Sequence, residues 1–219
     1  MGSLGTMQLI AETFVELTET EPPEKISVSD IVAASGKNRK TFYYHFVDKN
    51  HLIAWIFRFD LGEILLERFD EGQLVYEPDR AGKDPASLYP FYLFNKKGVR
   101  SLDHAAFFYA LADCFQKRRA YYAKVLRDSG QNSLRDYLHR LYVPALENDV
   151  RFILSNRYLK EESVRFLAEF STGAFLSYLI GQTTDPRRPD ITEGVGPFAN
   201  IVHSSLENEI KEQQLRRML

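Results

Sequence analysis

Cysteine is almost absent: Cys114 stands alone among 219 residues, so no intrachain disulfide can form. A lone thiol fits a reducing cytoplasm. One cysteine also cannot build a thiolate metal site, and His45, His51, His104, His139 and His203 lack ligand spacing. No run approaches about 18 consecutive apolar residues, the length expected of a membrane span, and no signal-peptide pattern opens the chain. Charge of one sign is lacking as well. Lysine and arginine number 28 against 30 acids, for a formal net charge of −2, so nothing global marks a nucleic-acid binder. The phosphate-cradling glycine loops and the G-x-S-x-G elbow are missing, and no acid–base set converges. Glu161 and Glu162 read as helix-surface charges. The expectation is a cytoplasmic non-enzyme with no membrane span, no metal and no cofactor.

What is present is ordinary apolar content, 44%, arranged at helical spacing. Met7, Ile10, Phe14 and Leu17 make one stripe, and Glu21-Pro22-Pro23 ends it. A second helix runs from Lys49 to about Phe69 and is apolar on more than one side, as a link between two packed units would be. Residues 70–101 hold three prolines and lose the pattern, so a loop is expected, with the dense run LYPFYLFNKKG buried as a short helix or an extended lid. Helices then follow at 101–118, capped by Ser101, at 119–130, and from Asn132 or Ser133, with Pro144 expected to kink or break that one. Two more cover 161–182 and 197–217. No strand with clean alternation stands out, and the fold class is all-α.

The most informative stretch is Ile26–Leu52. Ser27 and Asp30 have capping-box spacing, Gly36 stands where a helix end wants positive φ, and Asn38 caps again. Phe42 and Phe46 share one face of the next helix, which leaves Arg39, Lys40, Tyr43 and Tyr44 pointing elsewhere. Asp48 can cap the helix after it. Between Lys37 and His51 four lysines and arginines face one acid, a local charge of 4 − 1 = +3. A helix, a glycine turn and a short basic, aromatic helix form the helix-turn-helix pattern, whose second helix enters the DNA major groove.

These residues resemble the N-terminal domain of TetR-family transcriptional regulators: DIVAASG, Thr41-Phe42-Tyr43, His45-Phe46, then Lys49 and Leu52 opening the next helix. The likeness covers roughly residues 7–65. Lys37 and Lys40 depart from the family's usual apolar and small residues, so no operator sequence is carried over. FYYHFVDKNHLIAWIF and GQNSLRDYL are similar to the subgroup associated with dihydroxyacetone kinase operons, some of whose members are activators acting through a partner protein. The resemblance implies a DNA-binding head, residues 1–48, and a helical body for effector binding and dimerisation, residues 49–219.

Candidate DNA contacts follow. Arg39 and Lys40 lie in the first turn, where side chains reach base edges. Asn38 and Thr41 open the same helix, and Tyr43 and Tyr44 offer hydroxyls to phosphates. Ser27 and Ser29 begin the preceding helix. His45 and Lys49 match family positions that hold the backbone. The bland alternatives are a solvated basic face and, for Tyr43, simple packing. In the body, Phe91, Phe94, His104, Phe107, Phe108, Phe115 and Tyr122 are candidates for an effector site, with plain core as the open alternative. Helices 161–182 and 197–217 are expected to join two copies on a palindromic operator. The reading is a regulator, repression being the family's commoner output. The alternatives are an activator, or a helical interaction module working through a partner.

Overall fold

The apolar stripe of the first segment has to be buried, and the fold does so by folding the next two helices against it. The computed structural model describes residues 3–78, 84–155, 159–188 and 190–196, with Ser204, Asn208, Ile210, Lys211, Glu212 and Leu215. Helix α1 spans Ser3–Thr20 and turns Ile10 and Phe14 fully inward. Helices α2 (Val28–Ala34) and α3 (Arg39–His45) close over them with Ile31, Phe42 and Phe46. A fully buried side chain of this size contributes on the order of 2–3 kcal/mol. α4 (Lys49–Arg68) then leaves the three-helix head and enters the body. It is buried on nearly all sides, with Trp55, Phe57, Arg58 and Asp60 all 1% exposed or less.

The body is α5 (Ala105–Lys117), α6 (Arg119–Val125), α7 (Leu134–Leu154) and α8 (Glu161–Thr184). α7 and α8 form its longest contact. The all-α class holds, with one addition. The stretch after α4 is a strap carrying two minimal antiparallel pairs, β1 (Leu74–Val75) with β2 (Tyr92–Leu93), and β3 (Lys96–Gly98) with β4 (Ser101–Leu102). Arg58 fastens this strap. Its guanidinium donates to Glu77 Oε2 (2.7 Å), the Tyr89 carbonyl (2.5 Å) and Tyr137 Oη (3.1 Å), and it lies 5.2 Å over the Phe91 ring.

Two local expectations are corrected. Ser101 does not cap α5, because it is paired in β4. The helix begins at Ala105, whose N–H donates to Asp103 Oδ1 (2.9 Å). Pro144 does not break α7. It sits on the exposed side, where the Arg140 carbonyl it leaves without a helical donor is free to meet water. The expected helix at 197–217 falls mostly outside the described residues.

One apolar cluster runs without interruption from Met7 in the head through α4 to Val195. A second, smaller one holds Leu102, the end of α7 and the start of α8.

Candidate nucleic-acid interface

α2 starts because its first N–H groups find side-chain acceptors. The Asp30 N–H donates to Ser27 Oγ (3.3 Å), and Asp30 Oδ2 accepts from the Ser27 N–H (2.8 Å) and hydroxyl (2.6 Å). The box holds the Asp30 carboxyl below its ordinary range, through the Ser27 hydroxyl first. Gly36 makes the turn at φ +65°, where an L side chain is strained. Asn38 Oδ1 then accepts from the Thr41 N–H (2.9 Å) and hydroxyl (3.1 Å), so both residues work in the cap that aims α3. Asp48 Oδ1 caps α4 through the His51 N–H at 2.7 Å.

With Phe42 and Phe46 anchored below, the opposite face of α3 is open. Arg39, Lys40, Tyr43 and Tyr44 are exposed, Tyr44 at 80%, and Val47 beyond the helix at 76%. Among the described residues no carboxylate lies within ion-pair distance of Lys37, Arg39 or Lys40. The face is therefore a cluster of uncompensated cations between hydroxyl-bearing rings, which is the chemistry a phosphate backbone and guanine edges require. Ser29 is exposed on α2 beside it. His45 stacks edge-on against Tyr44 at 4.8 Å, and burial pushes its imidazole below the ordinary value.

Lys49 is placed differently from the expectation. Its ammonium donates to the carbonyls of Pro23 (2.6 Å), Ile26 (2.8 Å) and Glu24 (3.4 Å), tying the α1–α2 turn to the start of α4. A phosphate would have to compete with all three.

The head is fastened to the body by basic side chains flanking and ending the short helix α6. Arg118 grips Glu12 of α1 with both guanidinium nitrogens (2.7 and 2.5 Å) and donates from Nε to the buried Asp60 of α4 (3.2 Å). The Tyr122 hydroxyl also donates to Asp60 (2.7 Å). Lys124 donates to the carbonyls of Thr18 and Glu19, which end α1. Arg119 reaches the other way, to the Gln182, Thr183 and Asp185 carbonyls at the end of α8. Sequence reading missed this set. Arg58 and Asp60 were visible as charges inside an apolar helix, but their partners lie far along the chain.

The body's aromatic candidates divide between the two clusters. Phe91, Phe107, Phe108, Phe115 and Tyr122 are buried and pack ring on ring, joined by Tyr92, Tyr142 and Phe175. Phe94 is half-buried in the second cluster against Phe152, at 5.1 Å. His104 is buried, with Nε2 2.8 Å from Asp149 Oδ2, the same oxygen that accepts from the Tyr92 hydroxyl at 2.5 Å. The other oxygen, Asp149 Oδ1, is buried with no hydrogen-bond partner among the described residues. Tyr92 lies in the dense aromatic run that the sequence shows, whereas Asp149 did not stand out there.

On α8, Phe166 and Phe170 are stacked and exposed, at 60% and 63%, in line with Gly173, Ser177 and Gly181. Among the described residues no helix is long and apolar enough to cross a membrane, and no group of acids, histidines and cysteine has the arrangement of a metal site.

Comparison with known proteins bears on both ends of the chain. Residues 6–55 match the family described as bacterial regulatory proteins, tetR family, and residues 103–181 match a transcriptional regulator C-terminal region. A curated relative is the HTH-type dhaKLM operon transcriptional activator DhaS of Lactococcus lactis subsp. lactis (strain IL1403). It is 35% identical over 91 residues, which cover 34% of this chain and 49% of the relative, so the chain spans about half the length of the curated relative it matches. A solved structure, the dihydroxyacetone kinase operon activator DhaS, aligns over 95% of this chain and 96% of its own, with 16% identity and a TM-score of 0.49.

Proposed function

We propose that this chain, which belongs to the TetR family of bacterial regulatory proteins, is a sequence-specific DNA-binding transcriptional regulator working in the cytoplasm. One observation carries the reading: α3 holds Arg39, Lys40, Tyr43 and Tyr44 outward with no carboxylate partner among the described residues, on a base of Phe42 and Phe46 buried in the head core. Arg39 and Lys40 read base edges. Tyr43, Tyr44, Ser29 and His45 hold the backbone, while Ser27, Asn38 and Thr41 set the two helices that present them. Lys49 acts from behind by fixing the α1–α2 turn.

The working division is a head, residues 1–48, and a body, residues 49–219, acting as a homodimer. α8 supports the dimer with the exposed stripe from Phe166 to Gly181, and the helix expected from the sequence at 197–217 would complete it. Two heads then meet half-sites about 34 Å apart or a near multiple. Phe91, His104, Phe107, Phe108, Phe115 and Tyr122 are the proposed effector contacts. The bond from His104 to Asp149, whose other oxygen has no partner among the described residues, supports this, with Phe107 and Phe108 packed beside Tyr92 and His104; Phe94 is set apart. An effector acts only by binding two head arrangements unequally.

Repression is the family's commoner output. The likeness to an activator of a dhaKLM operon supports the opposite sign, and a reporter driven from the selected site separates the two. The first test is selection from random duplex DNA at two salt concentrations, with Arg39→Ala combined with Lys40→Ala as control. A palindrome bound with strong salt dependence is expected, and the double variant should lose selectivity while keeping its helical content. Equal, weak binding by both proteins would overturn the reading.

A further inference from the structure

A cleft of about 750 Å³ opens where head meets body, between the α1–α2 turn, the start of α4, the end of α6 and the start of α7. Its volume is that of a metabolite site. Two half-buried ammonium groups line it. Lys49 has its donors on three carbonyls, and Lys124 has two of its three N–H groups on carbonyls of α1. All five acceptors are neutral. Among the described residues neither lysine has a carboxylate within 4.0 Å, and neither does Arg127, one turn beyond Lys124 at the cleft mouth. The acids of the lining, Glu21, Glu24 and Asp128, are exposed, where water and salt screen them. Desolvation pushes the Lys49 ammonium below its ordinary value, against the opposing pull of the Glu24 and Asp128 carboxylates.

We propose that this cleft binds a small organic anion through the free N–H of Lys124 and the guanidinium of Arg127, with Lys49 adding to the field. The ligand carries a carboxylate or a phosphoryl group. An anion on the third N–H draws the Lys124 ammonium toward the cleft, so occupancy loosens the ties on Thr18 and Glu19 and alters how α1 sits on α6. The site is separate from the aromatic core and provides a second input. Its occupancy stands independently of the regulator reading, on which only the effect on DNA rests.

The test titrates the full chain, without DNA, with inorganic phosphate and separately with citrate, following backbone amide resonances of residues 18–26 and 124–134. Saturable shifts are expected with at least one anion. Response to phosphate alone assigns a phosphoryl ligand, and response to citrate alone a carboxylate. Arg127→Met should weaken binding roughly tenfold and Lys124→Met should abolish it, while Lys97→Met, on exposed β3, leaves it unchanged. If Lys124→Met loosens the fold, Arg127→Met decides, since that side chain is exposed. Linear shifts, or identical curves for the wild type and Arg127→Met, overturn the proposal. Because no DNA is present, that failure would leave the DNA reading untouched.

Discussion

At the scale of single residues, Asp60 and Glu12 share one guanidinium but respond oppositely to pH. Asp60 is fully buried, and desolvation raises its carboxyl above the ordinary range despite Tyr122 and Arg118. Removing it strands Arg118 and the Tyr122 hydroxyl. Asp60→Ala should cost about 3 kcal/mol in urea unfolding, the usual loss when one partner of a buried pair is deleted. Glu12 is half exposed, and its hydrogen bonds from Arg118 hold its carboxyl low. A depressed carboxyl contributes stability above the unfolded value, about 4.3, that is lost as pH falls through the depressed one. Asp60 runs the other way, its contribution weakening as pH rises from the ordinary aspartate value through the raised one. The stability gap between wild type and Glu12→Gln should therefore be present at pH 7 and close below about pH 4. A gap that persisted in acid would mean Glu12 acts through something other than its charge.

At the scale of elements, α4 carries the strap against its middle. A Cβ on Gly62 would come within 2.6 Å of Tyr89 Cβ, so the helix takes glycine there for clearance and gives up helix propensity in return. Gly62→Ala should destabilise by about 1–3 kcal/mol through forced displacement of the strap, where an open helical site would gain stability instead. Thermal unfolding decides, and a raised midpoint would contradict the close packing. The legibility of the elements tracks distance along the chain. Capping boxes, the Gly36 turn and the Phe42–Phe46 face are decided within a few residues and could be read directly. The strands of the strap, two or three residues long, are too short to show alternation, and Arg58 reaches Glu77, Tyr89 and Tyr137, which no local window contains. The bonds of Lys49 were not legible, because its three carbonyls belong to a turn more than twenty residues earlier.

At the scale of the whole molecule, the proposed dimer places Phe166 and Phe170 of each copy between the bodies. Phe170→Asp, on a surface that is exposed in the single chain, should leave the fold intact. In sedimentation it should shift the protein toward monomer and with it lose cooperative binding to a palindrome. A variant that stays dimeric would move the interface elsewhere. Helical class and helix order were legible, since amphipathic spacing records which faces are covered. Whether α8's open face covers a second copy was not, because a stripe reads the same whether it closes a monomer or joins two.

The uninterrupted cluster from Met7 to Val195 bears on how the molecule opens. In hydrogen exchange, amides of α1, α4 and α6 share one core and should be released together, in a single cooperative event near the global unfolding free energy. The last turns of α7 and the first of α8 rest on the smaller cluster, and their amides should exchange sooner, as a separate unit. A head that exchanged well before α4 would mean the contacts across residue 49 are too weak to carry a signal in either direction.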